Sequence, residues 1–341
     1  MEIFLDIVLM IIGLILLIKG SDVFVDVGTH IGKMFKMSEI LIGLTIVCIG
    51  TSLPELLLSI SASLNGNSDL LVGNILGSNI FNMCCILGIV CLMNPLKLLR
   101  QTIRKDMNMS LLSSIALFIL LLDTSNGVSY NTISRTDGII LLLFFVIFLY
   151  YTFYEFGEYF RDLRERKYKD LKQNKVRIEN KDKKVFSMKD MKKLVIYVFL
   201  LLLSILAIYF GAELVVDNAV LVAKHFNVSE TFISIAIIAV GTALPEISTS
   251  IAAIKKKRIN IAIGNLIGSN MFNTLFIVGC SALISPIKIA TSTLIFDSLV
   301  FIIVCLTLRL FTKKKPEITA MEGFTLISIY IGYMAYVLYR H

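Results

Sequence analysis

The chain has 341 residues, 56% of them hydrophobic, a mean hydropathy of +0.81 and a net charge of +8. A water-soluble domain of this length is far more polar, so the composition excludes a soluble fold and predicts an all-α polytopic membrane protein, whose helices pair every backbone polar group inside the bilayer. The positive charge does not mark a nucleic-acid surface, because the basic residues gather in segments between apolar runs, as membrane topology requires.

About ten transmembrane helices are predicted, each near the roughly 20 apolar residues a bilayer demands. In chain order they cover 3–28, 39–63, 70–94, 109–123, 138–154, 194–223, 229–254, 259–284, 293–311 and 319–338. The first reads as a span and not a cleavable leader, since Met1–Ile18 lacks a basic start and a small-residue cleavage site. The fourth is short for a span. Between the fifth and sixth lies 155–193, dense in Lys, Arg, Asp and Glu, a solvated, flexible or loosely helical linker. It divides the chain into two five-span halves, 1–154 and 194–341. The six cysteines all fall in apolar segments and read as small buried hydrophobes, not as a disulfide framework or metal cluster.

Alternate connections divide the basic residues sharply. One set holds Lys33, Lys36, Lys97, Arg100, Arg104, Lys105, the 155–193 segment, Lys255–Arg258 and Lys313–Lys315; the other holds Arg135, Lys224, Lys288 and Arg340. That is about 27 against 4, which places the first set, linker included, in the cytoplasm and both termini outside. The expected location is the cell (plasma) membrane.

Residues 20–95 align with 211–286 at a constant offset of 191, and about 28 of the 76 positions are identical. GSDVFVD matches GAELVVD, GTSLPE (50–55) matches GTALPE (241–246), and GNILGSNIFN (73–82) matches GNLIGSNMFN (264–273). Chance likeness between apolar helices pairs Leu with Ile, not Gly, Pro, Asn and Glu in register. An odd number of spans per half starts the second half on the opposite side, so the repeats are inverted about an axis in the membrane plane. That architecture is one of secondary transporters, with the site where the repeats meet.

Pro54 and Pro245 have no N–H to give the carbonyls of Gly50 and Gly241, and hydrocarbon tolerates a freed carbonyl only where protein, water or an ion satisfies it. Thr51, Ser52 and Thr242 add hydroxyls, and Glu55 and Glu246 follow. A carboxylate inside a membrane is costly and marks function; no Lys or Arg lies in the third or eighth span to pair with either. In the second motif Asn74, Ser78 and Asn82 share a helix face at spacing four, as do Asn265, Ser269 and Asn273, while Asn79 and Asn270 stand off that line, placed to cap or bridge helices. Gly73 and Gly77 form a small-residue face for close packing. The whole is an all-oxygen donor set that suits Ca²⁺ or Na⁺ and not a soft metal. Two carboxylates balance one Ca²⁺, and they serve equally for Na⁺ or two protons. A single proline is often only a kink; two copies with adjoining glutamates point to a site. Lys19, Asp22 and Asp26, with Glu213 and Asp217 in the repeat, lie near the ends of their spans and read as interface, gate or helix-pairing residues rather than the alternative, ion ligands.

These paired motifs resemble those of the cation/Ca²⁺ exchanger superfamily, the sodium/calcium exchangers and their prokaryotic relatives, over nearly the whole chain. The resemblance implies a secondary antiporter exchanging Ca²⁺ for Na⁺ by alternating access, with the first and sixth spans sliding as a pair. It implies that Glu55 and Glu246 ligate Ca²⁺ and Na⁺, that Thr51 and Thr242 contribute backbone and hydroxyl oxygens, that Ser78 and Ser269 ligate Na⁺, and that Asn82 and Asn273 sit at the centre. Cys48 and Ala239 fall where the family uses a backbone carbonyl. Two positions depart from the pattern. Ala243 replaces the serine that the first repeat has at Ser52, which removes a hydroxyl from a Na⁺ position and puts a three-Na⁺ stoichiometry in question. Asn273 replaces a common Asp, so the site keeps two carboxylates and, by the same resemblance, argues against K⁺ dependence. The large regulatory calcium-binding domains of the family have no counterpart in 155–193.

The expected ligands are Ca²⁺ and Na⁺, with membrane lipid around the chain and no tightly bound cofactor; a monomer suffices for transport, and an oligomer is compatible. Within transporters the alternative is an H⁺/Ca²⁺ or other divalent-cation exchanger using the same two glutamates as proton carriers. A channel would show uncoupled, unsaturable flux. An intramembrane enzyme built on Ser52 and Glu55 lacks a base to activate the serine.

Overall fold

The computed structural model describes residues 2–98, 105–122, 131–173, 188–226, 239–289 and 292–340. Its helices, in chain order, are α1 (Glu2–Met34), α2 (Glu39–Thr51), α3 (Leu53–Leu64), α4 (Ser68–Met93), α5 (Asp106–Leu122), α6 (Arg135–Gln173), α7 (Met188–His225), α8 (Ala239–Gly241), α9 (Leu244–Lys255), α10 (Ile259–Ile284), α11 (Ser292–Lys314) and α12 (Ala320–Arg340). Seven of these are long and apolar enough to cross a membrane, eight if the bent pair α2–α3 is one span, and Asp106–Leu121 is a shorter apolar helix. The span expected over 229–254 is described only from Ala239 onward. Two strand ladders add to the all-helical reading: β1 (Leu96–Lys97) pairs antiparallel with β4 (Glu317–Ile318), and β2 (Asn131–Ile133) with β3 (Ile287–Ile289). The backbone is also helical through Gln173 and again from Met188, so helix reaches into both ends of the 155–193 segment.

Packing is reciprocal between the halves. Where α1 crosses α7, a Cβ on Gly20 would lie 3.1 Å from Ala207 and Ile208, and one on Gly211 2.7 Å from the backbone of Leu17. The end of α4 abuts α12 at Gly88 and Gly323, and the end of α10 abuts α6 at Gly279 and Gly138; a Cβ on Gly88 or Gly138 would stand 2.8 Å from the facing glycine carbonyl. Each ladder takes one strand from each half. The capping boxes before α6 and α12 match as well: Ser134 N and Oγ donate to Asp137 Oδ2 at 2.7 Å, and Thr319 N and Oγ1 to Glu322 Oε2 at 2.7 and 3.0 Å. Gly323 follows Gly138 by 185 residues, as Thr319 follows Ser134. The duplication therefore continues beyond Pro95 with its offset reduced from 191 to 185, a difference absorbed in the connections.

α4 and α10 form the interior, each 78% buried over its apolar window, while α1 and α7 are 22% and 17% buried and lie against one another on the outside. The small-residue faces serve α10 clearly. A Cβ on Gly264 would lie 2.5 Å from Ile40 O and 2.9 Å from Leu44 N, so α2 and α10 touch backbone to backbone. For Gly73 and Gly77 the described residues offer nothing nearer than Leu294 at 3.7 Å. The six cysteines are free thiols, four of them buried.

Candidate functional site

The two GTxLPE motifs break their helices in the same way. α2 and α3 meet at 48°. The break residues Ser52 (φ −89°, ψ 11°) and Ala243 (φ −91°, ψ 3°) share one conformation, and Pro54 and Pro245 each occupy the opening turn of the helix that follows, where a missing N–H leaves no helix bond unmade. Glu55 and Glu246 thus sit in the first turn of α3 and α9, fully buried. The motif glycines make room for the outer helices: a Cβ on Gly50 would strike the Phe24 ring of α1, and one on Gly241 would strike Val216 of α7.

Hydrogen bonds tie the elements around these breaks into one buried network. Ser52 Oγ donates to Glu246 Oε1 at 3.3 Å, linking the motif of one repeat to the carboxylate of the other. Ser78 Oγ on α4 donates to Glu55 Oε1 at 3.5 Å. Thr51 Oγ1 donates to Asn265 Oδ1 at 3.1 Å, and Asn265 Nδ2 donates to Ser250 Oγ at 3.3 Å. Between α4 and α10 the amides brace each other reciprocally. Asn82 Nδ2 donates to Asn270 Oδ1 and Asn273 Nδ2 to Asn79 Oδ1, both at 3.2 Å. Asn79 Nδ2 also donates to Thr274 Oγ1 at 2.9 Å, and Asn270 Nδ2 to the Asn79 carbonyl at 3.2 Å. π-helical turns at Asn82–Ile86 and Phe272–Ile277 coincide with these asparagines, a distortion frequent at functional sites.

Oxygens predominate among the buried side-chain polar atoms left without a partner. Glu55 Oε2, Glu246 Oε2, Asn82 Oδ1, Asn273 Oδ1 and Ser269 Oγ are buried without a hydrogen-bond partner. Buried polar atoms are nearly always satisfied; these five oxygens, two of them on carboxylates, are donors of the kind a hard cation takes, and Ser59 Oγ, Ser281 Oγ and Asn74 Nδ2 are buried without a partner as well. Neither glutamate forms an ion pair among the described residues.

Residues 5–154 and 196–339 match the sodium/calcium exchanger protein family. The chain belongs to the sodium/calcium exchanger family. It is 30% identical to the sodium/calcium exchanger MaX1 of Methanosarcina acetivorans over 97% of this chain and 98% of that protein. It is likewise 30% identical to the inner membrane protein YrbG of Escherichia coli, over 96% and 95%. A solved structure of the sodium-calcium exchanger NCX_Mj, soaked with 10 mM Na⁺ and no Ca²⁺, superposes with a TM-score of 0.78 at 28% identity, covering 98% of this chain and 99% of that one. The chain is thus an integral membrane exchanger.

In this exchanger Glu55, Glu246, Thr51, Ser52, Ser78, Ser269, Asn82 and Asn273 are all buried, on the network or contributing its free oxygens. Thr242 is half-buried at the α8–α9 break. Ala239 opens α8, and its side chain lies outside the described residues. The Cys48 carbonyl accepts from Ser52 N at 3.0 Å, and Thr51 Oγ1, whose one proton also faces Asn265 Oδ1, lies 3.3 Å away. Asn79 and Asn270 bridge helices, as their off-face position suggests. Sequence reasoning did not reach the particular task of that bridging, which turns the amides of Asn82 and Asn273 so that each Oδ1 is left free. Ser250, the partner of Asn265, was missed; its sequence signal was the identity of Ser59 with Ser250 at offset 191.

Proposed function

We propose that this exchanger moves Ca²⁺ against Na⁺ by alternating access, with Glu55 and Glu246 as the charged ligands of a site between the repeats. The observation that carries the reading is the five unsatisfied buried oxygens on Glu55, Glu246, Asn82, Asn273 and Ser269. Two carboxylates compensate one Ca²⁺, while Asn82, Asn273 and Ser269 supply neutral oxygens of the kind a hard cation takes. Thr51, Ser52, Ser78 and Thr242 complete the shell or orient it; Cys48 and Ala239 contribute through backbone only. Competition of the two ions for the same carboxylates couples their movements without a further device. The outer pair α1 and α7, bound mainly to each other and set against the breaks at Gly50 and Gly241, is the body that slides. The distribution of basic residues supports a cytoplasmic 155–193 segment and outward termini in the cell membrane, and the shared site supports a functional monomer.

The test is radiolabelled Ca²⁺ uptake into Na⁺-loaded proteoliposomes diluted into Na⁺-free buffer, beside vesicles carrying only a pH gradient. Uptake is expected in the first and not in the second. Uptake driven by the pH gradient alone would replace Na⁺ by H⁺ on the same glutamates, and silence in both would overturn the cargo assignment. Imposed voltage then reads the stoichiometry that Ala243 puts in question.

A further inference from the structure

α1 meets α9 along a seam whose polar contacts have no counterpart in the other half among the described residues. Ser21 Oγ lies 2.6 Å from Ser248 Oγ, and Thr249 Oγ1 donates to Ser21 Oγ at 3.5 Å. At the end of the seam, the turn from α9 to α10 reaches over to α1. Lys256 Nζ is 2.5 Å from Asp26 Oδ2, 2.9 Å from the Asp22 carbonyl and 3.9 Å from Asp22 Oδ1. Arg258 Nη1 is 3.4 Å from Asp26 Oδ1 and also donates to Thr29 Oγ1 and the Val25 carbonyl. Lys256 follows Glu246 by ten residues, about 15 Å along the helix axis, and the hydroxyls of Ser248, Thr249 and Ser21 occupy the interval.

At offset 191 the other half has Leu57 and Leu58 for Ser248 and Thr249, Ala212 for Ser21, and Asn65 and Asn67 for Lys256 and Arg258. Only the carboxylates persist, as Glu213 and Asp217, and neither is in an ion pair among the described residues. Paired cations on one seam and none on the other are not needed to build a fold that treats the halves alike.

We propose that the α1–α9 seam is a one-sided gate. Lys256 and Arg258 hold α1 against the α9–α10 turn and keep the Glu246 side of the site shut toward the face bearing that turn. Release of Asp22 and Asp26 lets α1 move and opens the hydroxyl-lined seam to that face. Every pair in the cluster joins α1 to the α9–α10 turn, so the cluster opposes the displacement that alternating access requires. The cations are 20–22% exposed and the acids 38–45%, and pairs so wetted are individually weak, which suits a latch that must open at every cycle. The hydroxyls bond one another when the seam is closed and turn to water or cation when it parts. The proposal rests on the exchange reading for its purpose, but its test moves no ion.

A Ser248→Cys reporter is labelled with a membrane-impermeant maleimide applied to the face bearing the turn, in sealed vesicles, with the otherwise unaltered chain as background. Lys256→Met with Arg258→Met is expected to speed labelling about fivefold or more, the population change that loss of a modest stabilising contact produces. Exchanging the charges, Asp26→Lys with Lys256→Asp, is expected to slow it again. An unchanged rate in the double variant, shown monodisperse by size exclusion, overturns the gate, as does acceleration that the exchanged pair fails to cancel. If labelling responds while Na⁺-driven Ca²⁺ uptake is absent, the gate stands and the cargo assignment falls.

Discussion

Two turns occupy equivalent places in the two repeats: Asn65–Gly66–Asn67 between α3 and α4, and Lys256–Lys257–Arg258 between α9 and α10. Their backbones are copies. Asn67 N donates to Ala62 O at 2.8 Å and Arg258 N to Ala253 O at 2.9 Å; Gly66 and Lys257 both take a left-handed conformation, at φ +72° and +59°. Their chemistry differs by three positive charges. In an inverted repeat the two copies face opposite sides of the membrane. The site between them needs the same geometry from each half, whereas topology and gating need the halves to differ. Identity between the repeats therefore points to the site, and divergence points to sidedness.

The largest effect is expected where the copies agree. Glu55→Gln and Glu246→Gln each remove one of two compensating charges while keeping shape, and each is expected to lower Na⁺-driven Ca²⁺ uptake to background at unchanged yield and monodispersity. An uncompensated divalent charge in a buried site costs several kcal/mol, enough for a loss of about a thousandfold. Robust transport by either variant would remove that glutamate from the site.

A smaller effect is expected where the copies disagree inside the site. Ser52 donates to Glu246 Oε1, and Ala243 can make no reciprocal bond to Glu55. Glu55 instead takes its donor from Ser78, while Ser269, the equivalent of Ser78, is left without a partner. Ala243→Ser restores the missing hydroxyl. It is expected to shift the half-saturating Na⁺ concentration several-fold, within the range of one charge-assisted hydrogen bond, and to change Ca²⁺ half-saturation less. Identical Na⁺ curves for both chains would mean that the hydroxyl has no place in a Na⁺ position.

Much of this was legible before any coordinates, because the membrane limits the answer. Backbone pairing forces helices, and a carboxylate beside a proline in an apolar run has few structural uses; of the ten spans expected, the described residues hold seven or eight helices long and apolar enough to cross. The 191-residue offset added the inverted symmetry. The reciprocal ladders and capping boxes escaped notice because the offset shifts to 185, and because two- and three-residue strands carry no periodicity. Asn79 and Asn270 stand where they can cap or bridge helices, but their bracing of Asn82 and Asn273 depends on which face of α4 meets α10. The contact of Gly50 with Phe24 was hidden for a related reason: a glycine beside a proline reads as part of the break, and only packing reveals the neighbouring helix it admits.

The smallest expected effect separates backbone from charge in the two turns. A Cβ at Gly66 would meet nothing within 4 Å, so Gly66→Ala probes the left-handed conformation alone. It should cost about 1 kcal/mol, the usual penalty for a side chain at positive φ. Lys257 bears that penalty already, is exposed, and appears in no ion pair with α1. Lys257→Gly should relieve about the same amount and raise the thermal unfolding midpoint in detergent, while leaving exchange rates and reporter labelling as they were. Its neighbours Lys256 and Arg258 should behave in the opposite way, with little change in midpoint and a clear change in labelling. If Lys257→Gly instead lowers the midpoint, its side chain makes a stabilising contact that outweighs the strain, and the charge difference between the turns then serves stability as well as sidedness. If it accelerates labelling, the latch extends to all three basic residues of the turn, and divergence between the repeats has reshaped a whole connection and not two side chains within it.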